Sequence, residues 1–231
     1  MYCPCCQYRL EKGHFRYDLD GTLANTLPIC IKAYQYAFEQ FTGRSFSEQE
    51  VTAHFGITEA GIFQRVIPMQ WEEALKLYFE TYEKLHVECR YPFPGIEEAL
   101  KLLKERGILM AVVTGKSDYS AAYTLKYLGI AQYFDKVEAG DTRAIVKSSA
   151  IRKILATWRM EPGEAAYIGD TDSDMKEAET AGVLPLGAEW AETSTLHLLG
   201  SPAPVTTFPT LQSFTNWLDD NIEASNASSI A

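Results

Sequence analysis

The sequence lacks a long hydrophobic run. Its longest convincing apolar stretch, ILMAVV at 108–113, is far shorter than the roughly 20 residues that a membrane-spanning helix needs. The N-terminal segment MYCPCCQYRL also lacks the positive start and the apolar stretch of a secretory signal peptide. We therefore expect a cytoplasmic protein with no membrane partner.

Basic residues are scarce relative to acidic ones. The 231 residues include 21 lysines and arginines against 31 aspartates and glutamates, which gives a formal net charge of -10. Such a surface repels nucleic-acid phosphates, so we expect no nucleic-acid partner. An anionic substrate would need a local reversal of charge, by a metal ion or by well-placed lysines.

Cysteine is too sparse, and odd in number, for a disulfide framework. The five cysteines are Cys3, Cys5, Cys6, Cys30 and Cys89. Disulfide frameworks use an even number of cysteines and form in oxidising compartments, which a cytoplasmic protein does not enter. Cys30 and Cys89 fall in apolar helical patterns, so we predict that both are core residues.

Strand-like and helix-like segments alternate over most of the chain. The apolar runs ILMAVV at 108–113, AAYIG at 165–169 and VLPLG at 183–187 are separated by helical patterns. This alternation predicts an α/β fold with a parallel sheet and helices on both faces. Residues 24–91 contain no clear strand and are predicted to form a helical subdomain.

Polar residues follow three of the predicted strands. DLDGT at 18–22 follows strand 15–17, TGK at 114–116 follows strand 108–113, and GDTDSD at 169–174 follows strand 165–168. Lys147 lies at the start of a helix between the last two motifs. Ligands bind at the carboxyl ends of the strands in an open parallel sheet, so these motifs are expected to converge.

Such a set of residues suits phosphoryl transfer. Clustered carboxylates repel each other unless a cation lies among them, and hard oxygen ligands suit Mg²⁺. One carboxylate could attack phosphorus while a threonine, backbone amides and a lysine bind the phosphate oxygens. A second carboxylic acid could protonate the leaving group and then activate water. Each motif alone also fits a turn or a solvated surface group, and their co-occurrence in this order favours catalysis.

The chain resembles the haloacid dehalogenase superfamily, in its phosphoglycolate phosphatase-like subfamily. The resemblance is carried by DLDGTL (18–23), VVTGKS (112–117), Lys147 and YIGDTDSDMKEAETAG (167–182). It implies a three-layer Rossmann-like parallel sheet core with an inserted α-helical cap domain. The implied domains are an N-terminal cysteine-containing extension at 1–13, the core at 14–23 and 92–218, the cap at 24–91 and a flexible tail at 219–231.

The resemblance implies a role for each motif residue. Asp18 is similar to the family's nucleophile, and Asp20 is similar to its general acid/base. Thr114, Gly115 and Lys147 match the phosphate-binding positions. A carboxylate at position 20 favours phosphoryl transfer over dehalogenation, because the dehalogenases lack this second aspartate.

The resemblance also implies a metal site. Asp18, Asp20, Asp170 and Asp174 would hold Mg²⁺ as the cofactor. Asp20 would contribute its backbone carbonyl, and Asp174 would support the site directly or through water.

The implied function is a Mg²⁺-dependent phosphatase that hydrolyses a small phosphorylated metabolite through an aspartyl-phosphate, as a monomer or homodimer. Gln64 and Arg65, after the turn FGITEAG at 55–61, are possible substrate contacts, although a solvated helix face explains them as well. A phosphomutase of the β-phosphoglucomutase type shares every core residue. A remoter alternative is a non-catalytic metal-binding protein that uses the CPCC segment.

Two N-terminal features depart from the family pattern. Arg16 lies in a strand that should be buried, where an unpaired arginine would cost several kcal/mol. We expect a short strand, with Arg16 paired to an acid or directed toward the N-terminal extension. Cys3, Cys5, Cys6 and His14 could supply four zinc ligands, but their spacing is tighter than in an ordinary zinc site, so reactive thiols are the favoured interpretation.

Overall fold

The computed structural model describes residues 14–196 and 206–222, so Cys3, Cys5 and Cys6 lie outside the described residues. Within these ranges, six strands form one sheet in the order β3-β2-β1-β4-β5-β6, and every neighbouring pair is parallel. The predicted α/β fold is confirmed. The strands are β1 His14–Tyr17, β2 Met110–Val113, β3 Lys136–Glu138, β4 Ala165–Gly169, β5 Leu184–Ala188 and β6 Thr206–Phe208.

The first four helices follow one another without an intervening strand, as predicted for residues 24–91. This helical insert separates β1 from β2. No helix in the described part of the chain combines the length and the apolar character needed to cross a bilayer. The helices are α1 Leu27–Thr42, α2 Glu48–Thr52, α3 Glu59–Val66, α4 Trp71–Leu85, α5 Ile96–Glu105, α6 Asp118–Tyr127, α7 Lys147–Trp158, α8 Asp172–Ala181 and α9 Leu211–Asn221.

The sheet is covered on both faces. Side chains alternate between the faces of a strand, so Phe15 and Tyr17 join the apolar cluster that contains residues of α5 and α9. Val113 and Tyr167 join a second cluster with residues of α7 and α8. The core therefore has three layers, with the sheet in the middle.

The helical insert has an aromatic core of its own. Tyr34 and Phe38 of α1, Phe63 of α3 and Tyr78 of α4 are all buried. The ring centres of Tyr34 and Tyr78 are 4.3 Å apart, and those of Phe38 and Phe63 are 5.4 Å apart. Most of the stability of these helices comes from such packing of their buried faces.

Arg16 is fully buried, and no acid among the described residues pairs with it. Its guanidinium donates to the carbonyl of His14 (3.2 Å), contacts the Met160 sulfur (3.8 Å) and lies 4.9 Å from the centre of the Trp158 ring. The predicted acid partner is therefore not found among the described residues, where a ring face and weak acceptors surround the guanidinium instead. The alternative prediction, that Arg16 is directed toward the N-terminal extension, lies outside the described residues. Burial lowers the pKa of Arg16 to about 10. The described part of β1 has four residues, the same number as β2, so this strand is not exceptionally short.

The last helix extends past the predicted start of the tail at 219. Helix α9 ends at Asn221, and the flanking Leu218 and Ile222 are buried. Arg106 fixes this end, because its guanidinium donates to the carbonyls of Leu218 (3.1 Å) and Ile222 (2.9 Å). The apolar contacts and these hydrogen bonds explain why the polar sequence after 218 begins as helix.

Candidate active site

Three buried aspartates meet at the carboxyl edge of the sheet. Asp18 follows β1 and Asp170 follows β4, and these two strands pair in parallel. Asp174 lies in the first turn of α8, which begins directly after β4. One carboxylate oxygen from each aspartate lies within 4.8 Å of the other two. The structure therefore brings together the first and the last of the predicted motifs.

Two glycines permit this close approach. Gly21 has φ of 76°, and a Cβ built at this position would overlap the Asp170 carboxylate. A Cβ at Gly169 would overlap the side chain of Asp174. Only glycine satisfies both the backbone angle and the space at position 21.

Asp174 is held by hydrogen bonds on both of its carboxylate oxygens. Its Oδ2 accepts from the Thr171 backbone N–H (3.1 Å), and the Thr171 hydroxyl accepts from the Asp174 N–H, which forms a capping box. Its Oδ1 accepts from Lys147 Nζ (2.6 Å) and from the Tyr167 hydroxyl (3.2 Å). Both carboxylate oxygens of Asp174 are therefore engaged, and one of them positions Lys147.

Lys147 begins α7 and joins two acids. Its Nζ lies 2.9 Å from Asp18 Oδ2 and 2.6 Å from Asp174 Oδ1. Burial lowers the pKa of Lys147, but the charges of Asp174 and Asp18 outweigh it and hold this pKa well above its usual value. Burial raises the pKa of Asp18 to about 7, although Lys147 opposes the rise. The site thus contains more buried negative charge than its lysine offsets.

Asp170 carries an open acceptor. Its Oδ1 accepts from the Thr22 hydroxyl (3.1 Å), while its Oδ2 is buried and has no hydrogen-bond partner in the described part of the chain. Burial, followed by the charges of Asp174 and Asp18, raises the pKa of Asp170 well above its usual value. A divalent cation beside Oδ2 would satisfy this oxygen and favour the charged carboxylates. The donor set consists of oxygens, which fits Mg²⁺.

The predicted phosphate-binding residues surround the same space. Thr114 and Gly115 follow β2, and the buried Thr114 hydroxyl accepts from the Lys116 backbone N–H (3.3 Å). Its own proton remains available for a bound oxygen. The backbone N–H of Thr114 donates to the carbonyl of Glu138 (3.1 Å), and this hydrogen bond joins the end of β2 to β3.

A cavity of about 260 Å³ lies between the sheet edge and the helical insert. Every predicted catalytic, phosphate-binding and metal-binding residue lines it: Asp18, Asp20, Thr114, Gly115, Lys147, Asp170 and Asp174. The insert supplies the opposite wall: Leu27, Cys30, Tyr34, Phe55, Gly56, Ile57, Glu59 and Tyr78.

Gln64 and Arg65 do not line this cavity. Both residues are exposed on α3, and Arg65 donates to the carbonyl of Arg143 (2.9 Å). A substrate contact for either residue stays a prediction, without support from the cavity wall. Their position just after the turn at 55–61 suggested a place near the site. On α3, however, neither side chain reaches the cavity wall.

Lys116 lines the cavity, although no role was predicted for it from the sequence. Its Nζ lies 3.4 Å from Asp20 Oδ1 and 3.0 Å from the Cys30 sulfur. The Thr26 hydroxyl donates to the same oxygen of Asp20. The position of Lys116, directly after Thr114-Gly115, could have marked it as a site residue. The direction of its side chain could not be predicted from the sequence. Cys30 is buried as predicted, yet it also faces the site.

Glu59 is the other residue that the sequence did not reveal. It is 2% exposed, and its Oε2 accepts from the Ser117 backbone N–H (2.8 Å) at the start of α6. Its Oε1 accepts from the Ser120 hydroxyl. Glu59 therefore fastens the insert to helix α6, which packs beside the sheet, and no motif in the sequence marks this contact.

Comparison with known proteins points to one family. A model of the family described as haloacid dehalogenase-like hydrolase matches residues 16–188. A phosphoglycolate phosphatase from Neisseria meningitidis is 31% identical over 183 residues, which cover 74% of this chain and 77% of that protein. The pyrophosphatase PpaX of Halalkalibacterium halodurans is 28% identical over 176 residues, covering 75% and 82%. A solved haloacid dehalogenase-like hydrolase from Streptococcus pneumoniae has the same fold, with a TM-score of 0.71 at 24% identity over 90% of this chain and 99% of that chain.

Proposed function

Because the chain belongs to the haloacid dehalogenase-like hydrolase family, as a phosphatase-type enzyme, we propose that it is a Mg²⁺-dependent phosphatase that hydrolyses a small phosphorylated metabolite through an aspartyl-phosphate on Asp18. One observation carries this proposal. Asp18 shares a single cavity with the Thr114 hydroxyl, the Lys147 ammonium and Asp170, whose Oδ2 finds no hydrogen-bond partner among the residues that the structure describes.

The metal would sit between the first and last motifs. Asp18 and Asp170 would hold Mg²⁺ through carboxylate oxygens, together with the predicted backbone carbonyl of Asp20. Asp174 would support the ion indirectly, since both of its oxygens are already hydrogen-bonded. When bound, Mg²⁺ would offset the charge of the phosphate against that of the aspartates.

The first half-reaction transfers the phosphoryl group to the protein. A carboxylate oxygen of Asp18 forms a bond to phosphorus while the bond from phosphorus to the alcohol oxygen breaks. Asp20 donates its proton to that alcohol oxygen. The Thr114 hydroxyl, the Gly115 amide and the Lys147 ammonium bind the phosphate oxygens as charge moves onto them.

The second half-reaction returns the protein to its starting state. Asp20, now a carboxylate, accepts a proton from water while the water oxygen bonds to phosphorus. The bond from phosphorus to Asp18 breaks, and inorganic phosphate leaves. Proton donation and proton acceptance by one residue fit the position of Asp20 on the cavity wall, a residue away from the nucleophile.

The helical insert would act as a cap that excludes water and limits substrate size. It contacts the sheet domain through Glu59 and through the Thr58 backbone N–H, which donates to the carbonyl of Asp141 (3.0 Å). A cavity of about 260 Å³ suits a metabolite and excludes a folded protein as substrate. A phosphomutase would use the same residues, and it differs only in passing the phosphoryl group to a sugar hydroxyl instead of water.

Release of inorganic phosphate from p-nitrophenyl phosphate tests the proposal. We expect turnover with Mg²⁺, none with a chelator, and a fall to background in Asp18→Asn. Asp172→Asn is the matched control, because Asp172 lies in the last motif but pairs with Lys176 on the surface. Activity that survives in Asp18→Asn contradicts the mechanism. Isomerised sugar phosphate without free phosphate would instead identify a mutase.

A further inference from the structure

The two ends of the cavity differ in character. The sheet end carries the aspartates, Thr114 and Lys147, which suit a phosphate and its metal. The insert end is mainly apolar and aromatic, and Leu27, Tyr34, Phe55, Ile57 and Tyr78 line it. A phosphate held at the sheet end therefore directs the rest of the substrate against the insert.

The insert contributes no cation to this wall. Residues 24–91 all lie within the described part of the chain, and their lining residues include no arginine, lysine or histidine. Their one charged member is Glu59, which is 2% exposed. A second acid group on the substrate would meet a buried carboxylate where charges are weakly screened.

Lys116 is already paired with Asp20, although the charge of Glu59 also acts on it. Its Nζ lies 3.4 Å from Asp20 Oδ1 and 4.4 Å from the centre of the Tyr82 ring. Its pKa is held well above the usual value because, although burial lowers it, Asp20 and neighbouring groups outweigh burial. Binding of a substrate anion by Lys116 would therefore strip Asp20 of a partner.

The aromatic part of the wall is rigid and continuous. The ring centre of Tyr34 lies 4.3 Å from that of Tyr78 and 5.8 Å from that of Phe55. Tyr34 is 3% exposed and Tyr78 is 1% exposed, so their rings are fixed by packing. The faces of these rings bind apolar or cationic groups, and the Tyr34 and Tyr78 hydroxyls can donate hydrogen bonds but supply no positive charge to balance a carboxylate.

We propose, on the basis of the phosphatase function above, that the substrate is a phosphate monoester whose alcohol part carries no second acid group. The alcohol is uncharged or carries an amine, and its apolar body rests on Tyr34 and Tyr78. This substrate class differs from phosphoglycolate and pyrophosphate, the compounds in the names of the two curated relatives, since each contains a second anionic group.

Three two-carbon esters test the proposal, because they differ mainly in the charge at the far end. They are ethyl phosphate, O-phosphoethanolamine and 2-phosphoglycolate, and pyrophosphate is assayed beside them. With free phosphate as the readout, we expect kcat/KM for both ethyl phosphate and O-phosphoethanolamine to exceed that for 2-phosphoglycolate by tenfold or more. A preference for 2-phosphoglycolate or pyrophosphate overturns the proposal.

Substitutions in the wall test the cause of the preference. Glu59→Gln keeps an acceptor for Ser117 and removes the charge, so the kcat/KM ratio of 2-phosphoglycolate to ethyl phosphate should rise several-fold. Glu80→Gln, exposed on α4 of the same insert, should leave the ratio unchanged. Ile57→Lys adds a cation to the wall and should raise the ratio even if Glu59→Gln does not fold. An unchanged ratio in both wall variants contradicts the electrostatic cause.

The outcomes separate this proposal from the phosphatase function. Hydrolysis that depends on Asp18 but favours the acidic esters rejects the substrate class alone. No hydrolysis of any ester or of p-nitrophenyl phosphate rejects the phosphatase function and the substrate class with it.

Discussion

Lys116 Nζ lies 3.4 Å from Asp20 Oδ1, which joins the end of β2 to the candidate acid/base. The Thr26 hydroxyl, just before α1, donates to the same oxygen. Asp20 is therefore oriented from both sides of the cavity, by the sheet domain and by the helical insert. The orientation of this candidate proton-transfer group therefore depends on residues outside the motif that contains it.

Replacement of Lys116 by methionine should slow proton transfer. The variant keeps the length of the side chain but loses the charge that fixes Asp20, so we expect kcat to fall by about tenfold or more, within the range of general acid–base effects. KM for p-nitrophenyl phosphate should change much less, because Lys116 is not among the proposed phosphate ligands. Steady-state kinetics measure both values.

Lys126→Met is the control for that variant, since Lys126 is exposed on α6. Equal kinetics in the Lys116 and Lys126 variants would show that the contact with Asp20 has no catalytic role.

Gly21→Ala should weaken metal binding more than it weakens folding. A Cβ at position 21 overlaps the Asp170 carboxylate, so Asp170 must move from the candidate metal site. We expect a clear rise in the Mg²⁺ concentration that gives half-maximal activity. A titration of activity against Mg²⁺ measures this shift.

Gly129→Ala provides the matched control. Gly129 has φ of 71°, close to the 76° of Gly21, but a Cβ there meets nothing within 4 Å. Both variants should lose about 1 kcal/mol of stability from the left-handed backbone. A Mg²⁺ requirement that shifts equally in both would show that backbone strain, and not Asp170, is responsible.

His86 should make the fold less stable in acid. It is fully buried between α4 and α6, with hydrogen bonds to the Cys89 carbonyl and the Thr124 hydroxyl, both at 3.2 Å. Burial lowers the pKa of His86 in the folded protein, so the unfolded chain binds the proton more readily. The stability linked to neutral His86 is therefore complete above the unfolded pKa of about 6.5 and is lost as the pH falls below it.

Urea unfolding of the wild type and His86→Gln, from pH 8 to pH 5, measures this linkage. The difference between the two free energies of unfolding cancels the contributions of the buried aspartates. This difference should shrink below pH 6.5, where only the wild type must desolvate a charge. A constant difference across the range would contradict the pKa direction.

Arg16→Met should leave activity unchanged and hold or raise stability. Arg16 faces Trp158 and Met160 on the side of the sheet covered by α7, and its Nε finds no hydrogen-bond partner within residues 14–196 and 206–222. A methionine of similar length removes a buried charge without opening a large cavity, so the free energy of unfolding should rise by about 1 kcal/mol.

Arg106→Met is the comparison for this change. Arg106 donates to Leu218, Ile222 and Asp219, so its replacement should lower the free energy of unfolding. A loss of stability in Arg16→Met as large as in Arg106→Met would mean that the carbonyl and ring contacts of Arg16 outweigh its burial.

The sequence predicted the parts of the molecule that depend on local rules. Alternating strands and helices led to the parallel sheet, and the motif order placed Asp18, Asp170 and Lys147 at one edge. Short strands with weak patterns were harder: Thr206–Phe208, which forms β6, carries no periodicity that separates it from a loop.

Side-chain directions could not be predicted. Glu59 and Lys116 reach across from one part of the fold to another, and Arg65 reaches away from the cavity. Each direction follows from how the insert packs on the sheet domain, which no short stretch of sequence encodes. Arg16 shows the same limit, since its partner Trp158 lies far along the chain.

Glu59 of the helical insert stabilises the start of α6, a helix outside the insert. The start of α6 depends on a carboxylate from α3 for its Ser117 amide. If the two parts separate, both the carboxylate and the amide gain access to water, so their hydrogen bond is exchanged rather than lost. We therefore expect the Glu59–Ser117 hydrogen bond to align the two parts while leaving their separation reversible.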